Sequence, residues 1–111
     1  MRILFDCGTP KGIAQFLEGH SVRTARQQGW DTLTNGELIA AAETADFDLL
    51  LTTDKNMRYQ QNLAGRKIAI VVLGRGRWML IKLAMEHIVA AIHQAKPGDF
   101  VQVEIPVPDP T

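Results

Sequence analysis

The chain has 111 residues, 46% hydrophobic and 22% charged, which is typical of one globular domain and excludes a disordered chain. Its 12 basic and 12 acidic residues cancel, which excludes a uniformly basic surface but leaves room for a local basic cluster that binds nucleic acid. The single Cys7 excludes an intramolecular disulfide, and no apolar run reaches the roughly 18–20 residues of a membrane span, so we expect a cytoplasmic protein with no membrane partner.

The first half of the chain alternates strand and helix patterns. Apolar residues 3–5 predict a strand, and Pro10 is placed to begin a short helix that ends at Gly19. Residues 20–24 alternate in polarity and predict a second strand with Val22 pointing inward. A helix is predicted from residue 34 to about residue 45, followed by a buried strand over residues 47–52.

The second half continues the alternation, with a short helix over residues 57–63 and an uncharged strand over residues 68–73. An apolar stripe at spacings of four, three and four predicts one long helix from Trp78 to Gln94. A last, half-exposed strand spans residues 100–105. We therefore predict one α/β domain over residues 1–105, with a mainly parallel sheet flanked by helices, and a Pro-rich tail over residues 106–111.

Three acidic residues are predicted to meet at one edge of this sheet. Asp6 ends the first strand, Asp54 follows the third, and Glu37 opens the helix between them. Ligands bind outside the carboxyl ends of parallel strands, and grouped carboxylates suit a hard divalent cation. Without a cation, crowding should raise the pKa of at least one of the three. Each acid also has a structural alternative: Asp6 and Asp54 as turn or cap residues, and Glu37 in a capping box with Thr34.

Amide and basic side chains are dense near the same edge and could bind a polyanion. They could complete a metal shell, read bases or hold phosphates, although exposed loops are often rich in such residues. The candidate substrate-binding residues are Asn35, Lys55, Asn56, Gln60, Arg75 and Arg77. The three histidines, His20, His87 and His93, have no metal-ligand spacing in the sequence, so no zinc site is predicted.

Several of these segments together resemble the small stand-alone PIN-like proteins, named for the PilT N-terminus. The resemblance runs from Met1 to about Ile105 and rests on Asp6 with Pro10, the Asn-Gly-Glu-Leu run at 35–38, Thr-Thr-Asp-Lys-Asn at 52–56 and Gln-Gln-Asn-Leu at 60–63. It implies a three-layer α/β/α sandwich and a ribonuclease that uses Mg²⁺ or Mn²⁺. It further implies that Asp6, Glu37 and Asp54 are the catalytic and metal-binding acids.

Many PIN domains are toxins whose antitoxin protein covers the pocket, so the resemblance also implies an antitoxin partner, and a homodimer is a further expectation. Two positions depart from the family pattern: Gly74-Arg75-Gly76 stands where a fourth acid or amide is usual, and Cys7 stands beside Asp6. A catalytically inactive PIN-like binding module is one alternative. A phosphoreceiver domain, with Asp54 as phosphate acceptor, is another, although Cys7 and Ile105 stand where a receiver has an acid and a lysine.

Overall fold

Five parallel strands form the sheet in the computed structural model of this protein, which describes residues 1–57 and 66–107. The strands are β1 (Arg2–Phe5), β2 (Ser21–Thr24), β3 (Leu49–Thr52), β4 (Ala69–Leu73) and β5 (Phe100–Val103). They are arranged in the order β2-β1-β3-β4-β5, and every neighbouring pair is parallel. The chain therefore winds first to one side of β1 and then to the other, as in doubly wound α/β folds.

The three central strands are buried on both faces, because alternate side chains enter two separate hydrophobic clusters. On β3, Leu49 and Leu51 enter one cluster, while Leu50 enters the other. The first cluster also contains Ile88 and Ile92 from the C-terminal helix, and the second contains apolar residues of the central helix. Helices thus cover both faces of the sheet, and the predicted three-layer α/β/α sandwich is confirmed.

The helices differ from their predictions in two places. The helix after Pro10 forms as a 3₁₀ helix, Lys11–Phe16, and the long predicted helix is divided into α2 (Trp78–Leu83) and α3 (Met85–Gln94). At the break, the backbone N–H of Ala84 donates to the carbonyl of Ile81, three residues back, so the turn tightens between the two helices. Neither glycine nor proline marks this break in the sequence.

The remaining elements follow their predictions closely. The central helix α1 spans Asn35–Thr44, and Val22 is the residue of β2 that packs on the core. The predicted short helix at 57–63 falls almost wholly on residues outside the described part of the chain, as does the end of the Pro-rich tail. Across residues 1–57 and 66–107, no helix is long and apolar enough to cross a membrane.

Candidate functional site

Asp6 and Asp54 follow two strands that are direct neighbours in the sheet. Phe5, the last residue of β1, pairs with Leu51 of β3, and the backbone N–H of Asp6 donates to the carbonyl of Leu51 at 3.0 Å. Between β1 and β3 the winding of the chain reverses. In doubly wound sheets this reversal opens a crevice at the carboxyl ends of the strands, where ligands bind. Both acids therefore flank the crevice that the topology creates.

The buried hydroxyl of Thr52 connects the two acids. Thr52 ends β3 and its side chain is completely buried. Its Oγ1 donates to Oδ2 of Asp6 at 2.5 Å and accepts from the backbone N–H of Asp54 at 3.1 Å. One hydroxyl thus fixes the orientation of the Asp6 carboxylate and the start of the loop that carries Asp54.

The carboxylate of Asp54 is held by hydrogen bonds on both of its oxygens. Nδ2 of Asn35 donates to Oδ2 at 2.8 Å, and the backbone N–H of Asn56 donates to Oδ1 at 2.9 Å. The first bond ties the start of α1 to the β3 loop, and the second is a local turn. Asn35 and Asn56, both predicted near the acids, therefore contact Asp54 directly, Asn35 through its side chain and Asn56 through its backbone.

Glu37 is engaged at the start of its own helix. Its Oε1 accepts from the backbone N–H of Thr34 at 2.9 Å, and the Thr34 hydroxyl accepts from the Glu37 N–H at 3.4 Å. The predicted capping box is confirmed. Hydrogen bonding from the Thr34 backbone N–H, and then from the Thr34 side chain, lowers the pKa of Glu37. Crowding by other carboxylates would have shifted this pKa upward.

The three predicted acids are therefore not gathered into one cluster. Among residues 1–57 and 66–107, no three His, Cys, Asp or Glu side chains lie close enough together to hold a metal ion. The observed arrangement is a pair, Asp6 and Asp54, joined through Thr52, with Glu37 held at Thr34. A ligand role for Glu37 stays a prediction from the resemblance.

Two glycines in the loops at this edge of the sheet lie close to the Thr53 side chain. A Cβ atom added to Gly8, after β1, would lie 2.8 Å from Oγ1 of Thr53, and one added to Gly76, after β4, would lie 3.7 Å from the Thr53 side chain. The loops that follow β1, β3 and β4 therefore converge on Thr53. At Gly8 a side chain would force the Thr53 hydroxyl to shift.

A cleft of about 530 Å³ lies beyond the carboxyl ends of β4 and β5. Lys55, next to Asp54, lines it together with Arg75, whose Nε–H donates to the carbonyl of Ile105 at 3.1 Å. Arg77 lies just before α2 and is exposed, and Gln60 falls outside the described residues. Two of the predicted basic residues thus share one cleft.

The sequence did not identify Thr52 and Thr9 as parts of this site. Thr9 is buried, and its hydroxyl donates to the carbonyl of Leu51 at 3.0 Å, which braces the β1 loop against β3. A hydroxyl at the last position of an otherwise apolar strand was the available signal for Thr52. Such a polar atom needs a partner when it is buried, and the neighbouring strand end supplies one.

The fold and this crevice define a doubly wound α/β domain with a pair of carboxylates at its topological switch point. No protein-family model, no curated protein and no solved structure matches the chain.

Proposed function

We propose that this protein is a metal-dependent ribonuclease of the PIN-like type, acting in the cytoplasm, with Mg²⁺ or Mn²⁺ bound by Asp6 and Asp54. The observation that carries the proposal is the pair of oriented carboxylates at the reversal of strand order. The similarity to PIN-like sequences supplies the substrate class.

The donor set fits a hard cation. Mg²⁺ prefers oxygen ligands, keeps several of its waters, and is commonly held by one or two carboxylates together with substrate phosphates. Each carboxylate oxygen has two lone pairs, and the bonds from Thr52, Asn35 and Asn56 use one on each oxygen that they contact. Two carboxylates are therefore sufficient for this ion.

Each side chain has a distinct role in the proposed reaction. A bound divalent cation would polarise a phosphodiester oxygen and make a coordinated water more acidic. Thr52 and Asn35 orient the two carboxylates, which reduces the reorganisation needed when the ligand arrives. Lys55 and Arg75, which line the cleft, would bind flanking phosphates.

A nuclease assay on mixed RNAs with Mn²⁺ tests the proposal. Asp6→Asn and Asp54→Asn should each abolish cleavage, because each removes an anionic ligand. Glu37→Gln tests the third acid: glutamine can complete a capping box, so this variant should keep the fold, and its cleavage reports whether Glu37 is also a ligand.

Absence of cleavage by the wild-type protein, or full cleavage by Asp6→Asn, would contradict the ribonuclease proposal. RNA binding without cleavage would then favour the inactive PIN-like module. Loss of cleavage in Glu37→Gln, with unchanged stability, would instead assign Glu37 as a third ligand.

The toxin role, an antitoxin partner and a homodimer belong to the same proposal and rest on the resemblance alone. Expression of a toxin should arrest growth of the host, and Asp54→Asn should remove the arrest. Equal growth with both proteins would contradict the toxin role without affecting the nuclease assay.

A second candidate function, a phosphoreceiver-like domain, is favoured by the strand order. The order 2-1-3-4-5 is shared with receiver domains, and Asp54 follows β3. Incubation with acetyl phosphate and Mg²⁺ should then add one phosphoryl group to Asp54, seen as a mass increase that is absent in Asp54→Asn. A ribonuclease would show no such increase.

A further inference from the structure

Two histidines that are far apart in the sequence face each other at the opposite edge of the sheet. His20 immediately precedes β2, and His93 lies in the last turn of α3, so both are at the amino ends of the strands. Their Nε2 atoms are 3.2 Å apart, and their ring centroids are 5.2 Å apart. The imidazoles thus meet through the two nitrogens that commonly bind metal ions.

The spacing of these nitrogens matches the spacing of two ligands on one ion. Zinc–imidazole bonds are about 2.0–2.1 Å long, so two nitrogens on a tetrahedral ion stand about 3.3–3.4 Å apart. The observed distance between the two Nε2 atoms, 3.2 Å, is about 0.1–0.2 Å shorter than this spacing. Neutral imidazole nitrogens select zinc, nickel and copper over the hard cations that prefer carboxylates.

Both rings stand on fixed supports and remain accessible. Ile92, next to His93, is completely buried and anchors the last turn of α3. The backbone N–H of His20 donates to the carbonyl of buried Leu17 at 3.2 Å. His93 is exposed and His20 is partly exposed, so an ion can reach the pair from solvent and keep water at its other positions.

An ammonium lies against the pair: the amino group of Met1 is 3.1 Å from Nδ1 of His20, and Nε2 of the same ring contacts His93. Desolvation, then the Met1 ammonium and then His93, lower the pKa of His20. The ring is therefore neutral near neutral pH, which is the form that binds metal.

We propose that His20 and His93 form a binding site for a borderline divalent transition metal, with Zn²⁺ as the probe ion. In the metal-free pair one Nε2 carries the proton that it donates to the other Nε2. On binding, this proton moves to Nδ1 of the same ring, so each ring stays a neutral imidazole and each Nε2 offers a lone pair to the ion. Where that ring is His20, its Nδ1–H then faces the Met1 amino group, which releases one proton to solvent and accepts this N–H. The site joins the start of β2 to the end of α3 and is independent of the acidic crevice.

Calorimetric titration of untagged Cys7→Ser protein with Zn²⁺, in excess Mg²⁺, tests the proposal. The serine removes the exposed thiol, and Mg²⁺ competes for the carboxylates. One ion should bind, and His20→Gln and His93→Gln should each weaken binding at least tenfold, since even the loss of an outer-shell partner costs about 10–100-fold. His87→Gln, which changes an exposed histidine of the same helix, should leave the affinity unchanged.

Unchanged affinity in either single variant, or an equal loss in His87→Gln, would overturn the proposal. Nitrogen-15 NMR of the wild-type protein gives a second readout that does not depend on variants. The Nε2 resonances of His20 and His93 should both shift at one equivalent of Zn²⁺, and unshifted resonances would also overturn it.

Discussion

Replacing Thr52 by valine should destabilise the fold by about 2 kcal/mol. Valine keeps the shape of threonine but removes the hydroxyl that donates to Asp6 and accepts from the Asp54 N–H. A hydrogen bond to a charged group contributes about 1.5–3 kcal/mol, and an unsatisfied amide costs about 1–3 kcal/mol. Because Asp6 and Asp54 are only partly buried, the lower value of each range applies, and the two costs sum to about 2.5 kcal/mol. Burial of the new methyl group offsets up to about 0.8 kcal/mol of this cost.

Urea unfolding measures this change, and a double-mutant cycle with Asp6→Ala assigns it. The cycle should give a coupling of about 1–2 kcal/mol between Thr52 and Asp6, since the two are in direct contact. A loss below about 0.5 kcal/mol, the size of an ordinary surface change, would refute the role of the hydroxyl. Strict additivity in the cycle would show that Thr52 does not stabilise the fold through its bond to Asp6.

Three other predictions concern the cap, a turn and a helix. The pKa of Glu37 is lowered in the folded state, so its carboxylate stabilises the fold above the unfolded pKa. This stabilisation is lost as pH falls through the lowered, folded-state pKa. Glu37→Gln should therefore remove this loss of stability from a curve of unfolding free energy against pH. An unchanged curve would contradict the stabilising role of the Glu37 carboxylate in the capping box. Gly98→Ala should destabilise by more than about 1 kcal/mol, because φ is 83° and the new Cβ would lie 2.9 Å from a backbone carbonyl. Gly29→Ala is the control, because φ is 77° and no atom lies within 4 Å of the new Cβ, so only the strained backbone costs stability. Equal losses of unfolding free energy in the two variants, measured in urea, would contradict a cost from the 2.9 Å contact at Gly98. Ile81→Ala, in the core, should cost about 2–5 kcal/mol by denaturation, whereas exposed Leu83→Ala should change stability by less than about 0.5 kcal/mol.

Local patterns in the sequence determined the elements and their burial. The apolar residues of β3 and β4 predict strands covered on both faces, and both strands are completely buried. The capping box at Thr34 and Glu37 is likewise readable, because its partners are three residues apart and its bonds form within one turn of helix. The same short range explains why Glu37 stays with Thr34, whereas a cluster of three acids requires partners from distant loops.

Tertiary structure alone decided which distant side chains meet. The break at Ala84 leaves the apolar stripe intact, so the periodicity of the sequence does not reveal it. Thr52 reaches Asp6 across 46 positions and His20 reaches His93 across 73, and both contacts depend on the strand order and on the helix directions. Parallel strands carry similar apolar patterns whatever their neighbours are. The hydrophobic pattern therefore predicts that a strand is buried, but it does not predict the strand with which it pairs. Only the packed sheet places Asp6 beside Thr52 and the end of α3 beside the start of β2.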